Sequence, residues 1–205
     1  MASGLKLSDL ERSKTCLMII DMQNDFLKEG ATCEITGGRA VIPAVVQLLE
    51  AARAAKVPVL HVITVWRKDG VDLAKFRTAS GPVYCLEGTA GAEITPDLAP
   101  KGRDYVVIKK RYSGFLHSDL ELLLRSLGVD HIITAGVATN FCVRATVHDA
   151  SFLGWNCWVV REGVTSYTAA EHEASLKDIA AGFGYVVGLE ETLRLLGNWK
   201  RAGAR

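Results

Sequence analysis

Two rhythms of apolar residues alternate along the chain. "TCLMIIDMQNDF" (15–26) opens with an unbroken apolar run that stops at Asp21. A short run of that kind predicts a strand buried on both faces. "VPVLHVITVW" (57–66), "DYVVIKK" (104–110), "DHIITAGV" (130–137) and "NCWVVREG" (156–163) predict four more. Between them the spacing changes. "AVIPAVVQLLEAARAAK" (40–56) sets apolar residues three and four apart, with Pro43 in the first turn, and predicts a helix. "SDLELLLRSLG" (118–128) predicts another: Ser118 caps it, Glu121 completes a capping box and Gly128 ends it. Helix is predicted again from about Asn140 to Leu153 and over 169–184, and "YVVGLEETLRLLG" predicts a last short strand and helix. Residues 67–104, rich in Gly, Pro and charge, read as a long excursion with little regular structure. A loop of that length in a compact domain is usually functional.

Strand and helix alternate from end to end. The pattern predicts an α/β fold: a three-layer α/β/α sandwich with a mostly parallel, doubly wound central sheet. In such sheets ligands gather at the carboxyl ends of the strands.

Three residue types meet at those ends. The first strand ends in Asp21, the third in Lys109 and Lys110, and the fourth runs out just before Cys142. A carboxylate closing an apolar strand is costly unless it is paired. Strand alternation turns Lys109 and Lys110 to opposite faces, so one of them can face Cys142. Cys142 falls in the first turn of a helix, with Thr139 or Asn140 as the predicted N-cap. Free amides and the positive helix end there favour a thiolate, as would a neighbouring lysine. The same amides suit an oxyanion. Position alone leaves a packed structural cysteine equally open. Cys16, Cys33, Cys85 and Cys157 lack such a setting and are expected to be packing residues.

Composition narrows the class. The chain has 205 residues, expected to form one domain over 1–205. Its net charge of +1 carries no clustered basic excess, so neither nucleic acid nor an acidic membrane surface is an expected partner. Five cysteines without a CxxC predict neither a disulfide framework nor a zinc knuckle, and suggest a reducing cytoplasm. The opening "MASGLKLSDLERSK" has no apolar stretch of signal-peptide length, and no run of about 18 apolar residues occurs.

Three segments, "IIDMQNDF" (19–26), "IKKRYSGF" (108–115) and "GVATNFCVRATVHDA" (136–150), resemble the isochorismatase-like cysteine hydrolase superfamily, in order and over nearly the whole chain. The resemblance implies a triad of Asp21, Lys109 and Cys142. It selects Lys109 over Lys110, because the family lysine stands four places before the motif serine, here Ser113. It also implies a cis peptide joining Val137 to Ala138, and an oxyanion hole made by the N–H groups of Ala138 and Cys142. A cysteine at the nucleophile position favours amide hydrolysis over the vinyl-ether hydrolysis of isochorismate. Nicotinamidases of this superfamily hold a metal on an Asp-x-His element after the second strand. Here Asp69 and Asp72 occur without that element, and His61 lies inside the strand as an expected core residue, so no metal and no cofactor are expected. "KxRYSGF" and "GTAGAEI" (88–94) look most like the ureidoacrylate and biuret amidases. The implied substrate is a small ureido or carbamoyl compound, walled by Phe26 and Tyr112, with Trp66, Arg67 and Arg77 as candidate contacts. A dimer or tetramer is the implied assembly. A non-catalytic member of the same fold is the rival, and the intact Asp21, Lys109 and Cys142 argue against it.

Overall fold

The computed structural model describes residues 4–75 and 82–202. Six strands form one parallel sheet: β1 (Thr15–Ile20), β2 (Val59–Thr64), β3 (Tyr105–Lys109), β4 (His131–Val137), β5 (Asn156–Thr165) and β6 (Tyr185–Val187). Their order is β3-β2-β1-β4-β5-β6 and every pairing is parallel. The order reverses between β1 and β4, the switch point at which α/β sheets open a crevice.

Among the described residues the α-helices include α1 (Asn24–Leu27), α2 (Ile42–Ala54), α3 (Leu120–Ser126), α4 (Arg144–Phe152), α5 (Ala169–Gly182) and α6 (Leu189–Ala202). They cover both faces, which explains the unbroken apolar strands. Leu17 and Ile19 pack with Leu48, Leu49 and Leu196 of α2 and α6. Cys16, Met18 and Ile20, the alternate residues, pack with Leu120, Leu124, Val147 and Leu176 of α3, α4 and α5. His61 is buried in β2 with its Nε2 3.5 Å from Asp104, as a core residue. Among the described residues no helix is long and apolar enough to cross a membrane.

Two local expectations are corrected. No capping box forms at Ser118 and Glu121. Helix α3 begins at Leu120, and Ser118 Oγ accepts from the Leu120 N–H at 3.1 Å while donating to the Gly114 carbonyl. Glu121 instead pairs with Arg125 one turn on, at 2.9 Å. The predicted helix from Asn140 opens as a π-helical turn over Thr139–Val143, and α4 starts only at Arg144.

Gly136 sets the join between β4 and that turn. It pairs with Ile20 of β1, its φ is +119°, and β4 shifts register against β5 between Thr134 and Gly136. A Cβ on Gly136 would lie 2.0 Å from the Ile20 carbonyl oxygen. Glycine is what permits so close an approach. It brings the chain after β4 against the end of β1, where Asp21 begins.

Candidate active site

The loop ends of β1, β2, β3 and β4 each supply one group. Asp21 follows β1 with φ +52°, a left-handed conformation that Asp tolerates better than most residues. Its N–H donates to the Val62 carbonyl at 2.9 Å, which tethers it to β2. Lys109, the last residue of β3, extends past β2. Its Nζ lies 2.8 Å from Asp21 Oδ2 and 3.3 Å from Cys142 Sγ. Thr64, the last residue of β2, stands between them. Its hydroxyl accepts from Lys109 Nζ at 2.7 Å and donates to Asp21 Oδ1 at 2.9 Å. Lys109 Nζ also donates to the Arg111 carbonyl at 3.2 Å. Asp21 and Lys109 are each 1% exposed, so the pair is held almost wholly out of water.

Lys110 turns the other way, as strand alternation requires. Its Nζ bonds the Val65 carbonyl and lies 2.8 Å from Asp72. The Val137–Ala138 peptide bond is cis. Ala138 and Cys142 line one small cavity with Asp21 and Phe26.

Electrostatics revise the expectation of a resting thiolate. Burial pushes the Cys142 thiol well above its ordinary pKa, and the charge of Asp21 adds to the rise; Lys109 opposes both. Burial also works against the charge on Lys109, but the negative charge of Asp21 beside it leads the opposing effects and its pKa is raised. Burial thus favours the neutral thiol beside the Lys109–Asp21 contact. The N-cap expectation fails too. Thr139 Oγ1 sits 3.0 Å from His172 Nδ1, and Asn140 Oδ1 accepts from Ser166 Oγ at 2.6 Å. Neither side chain caps the turn that carries Cys142. That turn is pinned instead through Thr146, whose hydroxyl donates to the Cys142 carbonyl at 2.7 Å and accepts from the Gly114 N–H at 3.0 Å.

The sulfur lies where two cavities meet. One, about 20 Å³, is bounded by Asp21, Phe26, Cys33, Tyr112, Ala138 and Tyr167 among others. The second, about 90 Å³, is bounded by Thr64, Trp66, Ala74, Tyr84, Arg111 and Tyr112. Ligand pockets of ~300 Å³ and more are usual for drug-sized molecules, so these spaces suit a compound of few heavy atoms. Phe26, Tyr112 and Trp66 thus stand at the site. Arg67 does not: its side chain is 63% exposed and 3.9 Å from Asp69, so that charge is solvated. Arg77 lies outside the described residues.

Other residues at the site went unread in the sequence. Cys33, expected to be packing, reaches the cavity wall with Sγ 3.5 Å from the Tyr167 hydroxyl. Thr64, Tyr84, Arg111 and Tyr167 join it. Gln23 is fully buried, and its amide donates to the carbonyls of Thr64 and Ala92, both at 2.7 Å, and accepts from the Thr64 N–H at 2.9 Å. Asn24 donates to the Ala90 carbonyl at 2.7 Å, and Asp25 accepts from the Cys85 N–H at 2.6 Å. Thus the polar residues after Asp21 anchor the 84–95 stretch beside the site. Their signal was their polarity directly after an apolar strand. Among the described residues no three His, Cys, Asp or Glu side chains are grouped to hold a metal ion.

The chain is similar to known proteins over most of its length. The Isochorismatase domain matches residues 15–191. A probable inactive nicotinamidase of Arabidopsis thaliana is 35% identical over 173 residues, 80% of this chain and 87% of that protein. A ureidoacrylate amidohydrolase of Azorhizobium caulinodans is 30% identical over 197 residues, 84% of this chain and 86% of its own. The crystal structure of an isochorismatase family protein from Desulfovibrio vulgaris superposes with a TM-score of 0.84 at 35% identity, covering 90% of this chain and 98% of that one. With a domain match over most of its length, a parallel sheet of the same fold and relatives at this identity, the chain belongs to the isochorismatase-like cysteine hydrolase superfamily.

Proposed function

We propose that the protein is a cysteine amidohydrolase that cleaves a C–N bond of a small ureido or carbamoyl compound, with Asp21, Lys109 and Cys142 as its reacting groups. The observation that carries this reading is their convergence, 2.8 Å from carboxylate to ammonium and 3.3 Å from ammonium to sulfur, beside a cavity sized for a small molecule. An acid–base group within hydrogen-bond reach of a nucleophile is what covalent amide hydrolysis requires.

Burial favours the thiol form, so in this mechanism the proton leaves as the sulfur attacks. Asp21 takes that proton while Sγ bonds the carbonyl carbon and the carbonyl π pair moves to oxygen. The N–H groups of Ala138 and Cys142 hold the oxyanion. Lys109 stays an ammonium and faces the negative charge passing through sulfur. Collapse of the oxyanion breaks the C–N bond, and Asp21 returns its proton to the departing nitrogen. A thioester or thiocarbamate remains on Cys142. Asp21 then takes a proton from water, the oxygen adds to the same carbon, and the C–S bond breaks. The sulfur recovers its proton and the acid is released.

The test is ammonia release from biuret, triuret, ureidoacrylate, N-carbamoyl amino acids and nicotinamide, with pyruvate release from isochorismate run alongside. Cys142→Ala should abolish turnover, and Cys142→Ser should retain bound substrate. A Cys142→Ala protein that releases ammonia at the wild-type rate refutes the nucleophile assignment; pyruvate without ammonia shows the vinyl-ether reaction instead. The relative described as a probable inactive nicotinamidase favours a second reading, a member of the fold without turnover. Silence of the wild type on the whole panel supports it.

A further inference from the structure

Arg111 follows the ion-pair lysine by two residues and lines the larger cavity with Thr64, Trp66, Tyr112 and Cys142. One corner of its guanidinium is occupied: Nη1 donates to the carbonyls of Asp72 at 2.8 Å and Lys110 at 2.5 Å. These bonds fix its orientation but do not neutralise its charge. Among the described residues no carboxylate pairs with it. Asp72, whose carbonyl it touches, spends its carboxylate on Lys110 Nζ at 2.8 Å and the Arg67 N–H at 3.0 Å.

A guanidinium has five N–H donors in one plane. With Nη1 used, the edge made by Nε and Nη2 keeps three. That edge matches a carboxylate bidentately, and fixing it in advance lowers the ordering cost of binding. Arg111 is half-buried among aromatic walls, where an unpaired charge is costly and a pairing is stronger than in water.

We infer that Arg111 is the anion anchor of the site, and that the preferred substrates are small amides carrying a carboxylate a few bonds from the scissile carbonyl. N-carbamoyl acids fit; uncharged amides such as biuret leave the guanidinium unpaired. This rests on the amidase reading for the word substrate, but not for the binding itself. The limited room around Cys142 keeps the spacer short.

The experiment compares N-carbamoylglycine with its uncharged amide, N-carbamoylglycinamide, by calorimetric titration of the Cys142→Ser protein and by kcat/KM of the wild type. The acid should bind roughly ten- to a hundred-fold more tightly. Arg111→Met should remove that preference, and Arg111→Lys, which keeps charge but not the fork, should restore only part of it. Equal binding of acid and amide overturns the inference, as does an Arg111→Met protein that keeps the preference. If Arg111→Met does not fold, the acid–amide comparison decides alone. Acid-selective binding without turnover of either compound upholds the anchor and refutes the amidase reading. Turnover without selectivity does the reverse.

Discussion

Replacing Thr64 with valine should cost far more than its size suggests. The two side chains are nearly isosteric and Thr64 is 3% exposed, so packing changes little. What goes is the hydroxyl that accepts from Lys109 at 2.7 Å and donates to Asp21 at 2.9 Å. Hydrogen bonds to charged groups contribute about 1.5–3 kcal/mol each, and both charges here are left buried one partner short. The expected loss is therefore about 3–5 kcal/mol, a large part of the ~5–15 kcal/mol that holds a domain together. Thr64→Ser keeps the hydroxyl and removes one methyl, at about 1 kcal/mol. Urea denaturation followed by tryptophan fluorescence separates the two. With a slope of about 2 kcal/mol per molar, valine should lower the midpoint by roughly 1.5–2.5 M and serine by about 0.5 M. A valine variant within ~1 kcal/mol of wild type, or a serine variant as unstable as valine, would show that the hydroxyl does not hold the ion pair.

Lys109→Met strands a buried carboxylate, a change of about 3–5 kcal/mol, and should lower kcat by two to three orders of magnitude. Lys110→Met breaks a half-exposed contact with Asp72 and should change kcat by less than about ten-fold; equal losses in a steady-state assay would refute the assignment of the lysine. Gly136→Ala forces a Cβ to 2.0 Å from the Ile20 oxygen and should cost at least ~3 kcal/mol, a fall in melting temperature of about 6–12 °C; a fall under ~3 °C in calorimetry contradicts the close approach. Stability should also fall with alkali. Burial raises the thiols of Cys16, Cys85, Cys142 and, to about 12, Cys157. Unfolding lets each ionise near its ordinary value, so above about pH 9 the unfolded state releases protons that the folded state keeps. Each thiol then costs ~1.4 kcal/mol per pH unit, or about 5 kcal/mol for four between pH 8 and 10. Urea midpoints that stay level over that range would show that the sulfurs are not held protonated.

The sheet was legible because burial on both faces keeps most strand interiors apolar; "TCLMII" and "DHIITAGV" can hardly read otherwise. The trio at the strand ends was legible for the same reason, since Asp21 interrupts such a run. Errors came where a local rule met a distant partner. Thr139 and Asn140 look like caps, but His172 and Ser166 claim them from across the fold. A helix start favours a thiolate only where burial does not dominate; here burial and Asp21 push the thiol up although Lys109 stands beside it. Arg67 and Arg111 cannot be ranked by spacing, because only the folded chain shows one solvated and the other lining a cavity with Cys142. The 67–104 excursion looked featureless because its anchors, Gln23, Asn24 and Asp25, sit some sixty residues earlier.

Strand β3 is a margin of the sheet, bonded among the described residues to β2 alone, and Lys109 is its final residue. Margins ordinarily fray, yet this one is riveted at its tip by the ammonium's grip on Asp21, Thr64, Arg111 and Cys142. In the proposed mechanism one amine thus serves both turnover and the seam. Losing it should unzip residues 105–109 to hydrogen exchange and proteases, and a member of the fold that abandoned catalysis would still have a reason to keep its lysine.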